Sequence, residues 1–75
     1  MTPEQCRMAR AGLGMSVRDL ADRAQVSTNT ISRLEAGEEL KPRTVEAIQR
    51  ALEEAGIVFI DQNGNGPGVR LRDRT

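Results

Sequence analysis

The sequence predicts a mainly α fold: one small domain of four short helices, followed by a C-terminal β-hairpin. Three observations carry this reading. Apolar residues recur at helical spacing in four stretches, punctuated by cap residues, glycines and a proline. From Ile57 the pattern changes to a β-branched run, a cluster of Asn, Gly and Pro, and an alternation of apolar and basic residues. Phe59 is the one aromatic residue, so the core must be built from Leu, Ile, Val, Met and Ala, as suits a small helix bundle.

The first helix opens at Thr2-Pro3-Glu4-Gln5, with Thr2 as N-cap, Pro3 at the first helical position and Gln5 completing a capping box. It is expected to run to about Ala11, where Gly12 and Gly14 interrupt it. Cys6, Ala9 and Leu13 fall at core spacing, and Met15 is a further core candidate. Cys6 reads as a small buried apolar residue, because no neighbouring base or thiolate-stabilising site argues for reactivity.

The stretch from Ser16 to Gly37 organises the chain. Ser16 is placed as an N-cap with Asp19 bonding back, and Val17, Leu20, Ala21 and Ala24 form the apolar stripe of a second helix. Ser27 caps a third helix, in which Val26, Ile31 and Leu34 are the only large apolar residues nearby. Thr28, Asn29, Thr30, Ser32 and Arg33 are left with no core to enter. The break from Arg23 to Ser27 is too tight for a loop and fits a helix-turn-helix, whose first helix braces the second. An outer face of short hydrogen-bonding side chains and one arginine suits a groove of duplex DNA. Asn can bond an adenine edge at two points, and Arg can do the same to guanine O6 and N7. Thr28, Asn29, Ser32 and Arg33 are therefore the expected base contacts, and Ser27, at the helix N-terminus, an expected phosphate contact.

The pattern Leu20-Ala21, Val26-Ser27, Ile31-Ser32-Arg33-Leu34-Glu35, closing on Gly37, resembles the helix-turn-helix of the phage repressor and Cro (Xre-type) family of DNA-binding regulators. The resemblance covers about the first three quarters of the chain. It implies that Arg10 pairs with Glu35 at the end of the third helix. A phosphate-binding role for Arg10 is the alternative. It also implies that the segment after the third helix runs along the DNA backbone, making Lys41 and Arg43 phosphate contacts unless they are ordinary solvated charges. Arg18 and Thr30 complete the expected phosphate set. Two positions depart from the family pattern: Val17 stands where Gln is usual, and Gln25 where Gly is frequent before the Val-Ser pair.

Composition narrows the function classes. The 75 residues contain no histidine and one cysteine, so a Ser-His-Asp triad, a zinc cluster and an internal disulfide are excluded. No enzyme activity and no cofactor are expected. Nothing at the N-terminus resembles a signal peptide or spanning segment, which suggests a reducing cytoplasm and no membrane partner. Eleven Lys and Arg balance eleven Asp and Glu, so phosphate neutralisation must come from distribution and not from net charge. Acidic residues crowd Glu38-Glu39 and 46–54, whereas Arg10, Arg18, Arg33, Lys41 and Arg43 lie on segments that can turn to one side.

After a loop from Glu38 to Lys41, Pro42 starts a fourth helix with Val45, Ile48 and Leu52 at helical spacing, ended by Ala55-Gly56. We divide the chain into a helix-turn-helix DNA-binding domain, 1–56, and a hairpin, 57–75, read as a dimerisation element. Ile57-Val58-Phe59-Ile60 is apolar on both faces. One face can pack on the fourth helix and the other needs cover, best supplied by a second copy. Ile57, Val58, Phe59, Ile60, Val69 and Leu71 are the expected interface, with Arg70, Arg72 and Arg74 blunting the outer edge. The resulting expectation is a homodimeric regulator, most simply a repressor, that reads an inverted-repeat operator in double-stranded DNA. The alternative is a protein-interaction module on the same scaffold, of the antitoxin or antiactivator kind, favoured by zero net charge, Val17 and the apolar strand.

Overall fold

A computed structural model describes residues 1–61, 64 and 66–72 of the chain. Four helices, α1 (Pro3–Leu13), α2 (Val17–Ala24), α3 (Thr28–Glu35) and α4 (Pro42–Glu54), precede two strands, β1 (Ile57–Ile60) and β2 (Gly68–Leu71). The strands pair antiparallel, Ile57 opposite Leu71 and Ile60 opposite Gly68. The fold is therefore the expected mainly helical domain with a hairpin. The expected turn passes through Asn63 and Asn65, and these, like Arg74, lie outside the described residues.

Local signals set most helix starts. Thr2 and Gln5 form one reciprocal capping box and Ser16 and Asp19 another, each satisfying two backbone amides that have no partner within the helix. Pro42 occupies the first turn of α4, where its missing N–H costs nothing. The first helix runs two residues beyond the expected end. Gly12 keeps helical geometry, and the reversal comes at Gly14, with φ 66°. A glycine inside a helix costs only a little stability, and the burial of Cys6 and Ala9 on the same helix outweighs it.

Cys6, Ala9, Leu20, Ile31, Ile48 and Leu52 are fully enclosed, so every helix contributes to one core. Ile57 joins it, and Phe59 and Val69 pack against it from the hairpin. The hairpin was expected to lean on the fourth helix. β1 does contact α4, but β2 also lies along α1. Gln5 explains this attachment: its Nε2 donates to the carbonyls of both Ile60 (3.1 Å) and Gly68 (3.0 Å). Its Oε1 meanwhile accepts the Thr2 amide. A buried amide is tolerated when its donors and acceptor are all engaged, and this one ties two strand ends to the first turn of α1.

Candidate nucleic-acid interface

The reversal between α2 and α3 is built on Gln25, the one described residue other than glycine with positive φ (58°). The Val26 amide reaches back to the Ala21 carbonyl at 3.0 Å, and that of Gln25 to Asp22. This double return closes a helix end in a left-handed residue, a conformation that glycine adopts without strain. Val26, packed on the core, then holds the chain as Ser27 starts α3. The Ser27 hydroxyl accepts the Thr30 amide at 3.1 Å and lies 2.9 Å from the Thr30 hydroxyl. The amides of Thr28 and Asn29 keep no partner within the helix, as at any first turn.

Along α3, Ile31 and Leu34 are buried, while Thr28, Asn29, Ser32 and Arg33 are exposed. At 100° per residue the four exposed side chains span an arc of roughly 140°, opposite the apolar pair. Thr30 flanks the arc, half-buried. Arg18, Lys41 and Arg43 are exposed on neighbouring segments, and Val17, at the position where the family usually has Gln, packs its side chain against the core. A depression of about 430 Å³ lined by Thr30, Arg33, Glu39, Leu40, Lys41 and Thr44 separates α3 from the start of α4.

The inner side of α3 is fixed by a polar clamp. The Arg10 guanidinium grips the Glu35 carboxylate at two points, 2.6 and 2.7 Å, and donates a third bond to the Met15 carbonyl. The Cys6 thiol donates to the same carboxylate at 3.3 Å, and Arg7 donates to the Glu35 carbonyl. Burial by itself would raise the Glu35 carboxyl, but the bonds from Arg10 and Cys6 and the nearby positive charges hold it below its usual range. Burial, followed by the bond to Glu35, pushes the Cys6 thiol up to about 12. That proton stays on sulfur, so Cys6 is a structural donor. Arg10 spends its guanidinium inside the molecule.

At the far end of α3 Arg33 pairs with Glu38, Nε to Oε1 at 3.0 Å, across a chain reversal at Gly37 with φ 90°. Sequence reasoning placed Arg33 on the outer face but did not see this partner, because a five-residue separation is not a neighbouring spacing on a helix. Only the reversal brings them together. The roles of Gln5 beyond its capping box and of Arg7 were missed for the same reason: their partners lie 28 to 63 residues away.

A tight turn that presents a second helix, apolar inside and short polar side chains outside, defines a class of protein that offers a helix to the major groove. Residues 7–55 match the family model described as helix-turn-helix, and the chain belongs to that family, in its Xre and Cro branch. It is accordingly a DNA-binding regulator in the general sense of the family. No curated protein matches the chain. Among the described residues no helix is long and apolar enough to cross a membrane.

Proposed function

We propose that the protein is a homodimeric, sequence-specific transcriptional regulator, acting as a repressor by occupying an inverted-repeat operator with α3 in the major groove. The observation that carries this reading is the division of α3. Its core side is buried and clamped, and its free side holds only groups able to bond base edges or bring a backbone close. In this reading Thr28, Asn29, Ser32 and Arg33 meet base edges. Ser27, Thr30, Arg18, Lys41 and Arg43 meet phosphates, aided by the free amides at the start of α3.

Residues 1–56 form the DNA-binding unit and 57–75 the dimerisation element. Ile57 is committed to the chain's own core at 3% exposure, and Phe59 and Val69 pack against that core from the same face of the hairpin. The outward part of the hairpin is therefore what a second copy covers: Val58 and Ile60, with Leu71 at the rim. A zero net charge supports modest non-specific affinity, with selectivity resting on base contacts.

Selection of bound duplexes from a random pool tests the reading directly. Enrichment of a palindrome whose half-sites are separated by about 34–36 Å, one helical turn, is expected. Recovery of no motif at low salt would instead favour the protein-interaction alternative.

A further inference from the structure

The Arg33–Glu38 pair stands on the rim of the DNA-facing surface, and its geometry is built in two layers. The reversal at Gly37 returns the Glu38 amide to the Arg33 carbonyl at 3.0 Å, and the Gly37 amide to that of Leu34, also at 3.0 Å. This closure places Glu38 back over the residue five positions earlier, where its carboxylate takes the Nε proton of the same arginine. Backbone and side chain of Glu38 thus both engage Arg33. Among the described residues Nε is the one guanidinium nitrogen of Arg33 with a protein partner. Nη1 and Nη2 remain open, and together they form the end-on fork that bonds guanine O6 and N7.

We propose that Glu38 is a specificity-determining residue that aims Arg33 at its base and tempers binding to DNA of any sequence. This rests on the reading of α3 as the base-reading helix. Glu38 acts in two ways. An arginine that already has Nε fixed loses less rotamer freedom on docking, so the matched base is favoured. A carboxylate at the rim also repels phosphates on any sequence, which lowers affinity for all DNA without changing the ratio between sequences. Discrimination therefore rests on the aimed arginine, while the charge sets the general affinity.

The test uses the duplex that the parent protein selects from a random pool, its single-base-pair variants and a random-sequence duplex. E38A is expected to reduce discrimination at one base pair by about two- to tenfold, the scale of one ordered side chain. It should also tighten binding to the random duplex at low salt. E38Q keeps an acceptor for Nε without the charge. It should retain most of the discrimination while sharing the tighter random binding. G37A strains the reversal and should weaken discrimination at the same base pair. In an R33A background, E38A should change discrimination nowhere, which a merely structural role would not predict. Unchanged discrimination in E38A, or an equal change with and without Arg33, overturns the role of Glu38 while leaving α3 as the reader. A parent that binds no duplex selectively overturns both. Unaltered thermal melting of E38A, whose side chain is exposed, separates the effect from folding.

Discussion

Helix α3 carries two Arg–Glu pairs, and they are opposites. Arg10–Glu35 is two-pronged, with side-chain exposures of 20% and 10%, and joins two helices. Arg33–Glu38 is a single contact with exposures of 47% and 54%, and joins a helix to the loop that follows it. The same two residue types thus do different physical work. Away from water the pair is expensive to break, because the survivor is left as an uncompensated charge. In water the pair adds little to folding stability, and its single contact leaves both Nη groups of the arginine open. The inner pair sets where α3 lies, and the outer one leaves its arginine available.

The comparison is broken most severely by removing the inner carboxylate. E35A should cost about 3 kcal/mol of folding free energy, since it strands the Arg10 guanidinium and deprives the Cys6 thiol of its acceptor. E35Q should lose a similar amount despite its matching shape, because an amide cannot replace the charge. E38A should alter stability by less than about 0.5 kcal/mol. Chemical denaturation of the three variants decides the matter, and equal losses at Glu35 and Glu38 would abolish the distinction.

R33A should leave stability nearly unchanged while removing about 1–3 kcal/mol of discrimination at one base pair. Ala at Lys41 or Arg43 should instead weaken binding to all sequences alike and reduce its salt dependence. Titration against operator variants at two salt concentrations tells the two effects apart.

Acid and alkali both probe the inner clamp, although acid also releases the Asp19 carboxylate that Ser16 holds low. The Glu35 carboxyl is depressed in the folded chain, so its stabilisation is complete above the unfolded carboxylate range and disappears as pH falls through the folded value. The Cys6 thiol is raised from 9.0 to about 12, so the folded chain keeps a proton that the unfolded chain releases. Stability should therefore decline as pH rises from 9 towards 12. C6A should remove most of that alkaline decline in a melting series. Persistence of the full decline in C6A would assign it elsewhere.

The smallest expected effect sharpens how α3 is set. Q25G should stabilise the chain by up to about 1 kcal/mol, by relieving a left-handed residue with a side chain. DNA selectivity should stay the same, because the return bond from Val26 to Ala21 is made by backbone alone.

Much of this molecule is legible in short range. The caps at Thr2, Ser16 and Ser27, the apolar stripes and the turn at Gln25 are relations between residues at most about two helical turns apart, and local chemistry fixes them. The outward set on α3 follows from the same periodicity, since residues that cannot enter a core must face away from it. Helix α1 continues past Ala11 to Leu13 because packing of Cys6 and Ala9 overrides the weak helical preference of Gly12.

The sequence by itself determined four helices, a hairpin and which side of α3 is polar, because periodicity and capping act within a few residues. The tertiary structure alone decided that Gln5 pins the hairpin to α1, that Cys6 and Arg7 join Arg10 in gripping Glu35, and that Arg33 is held by Glu38. Those contacts depend on where distant segments or a left-handed reversal bring donor and acceptor together. A hydrogen bond requires a distance and an angle, and neither is written in a pattern of residue types.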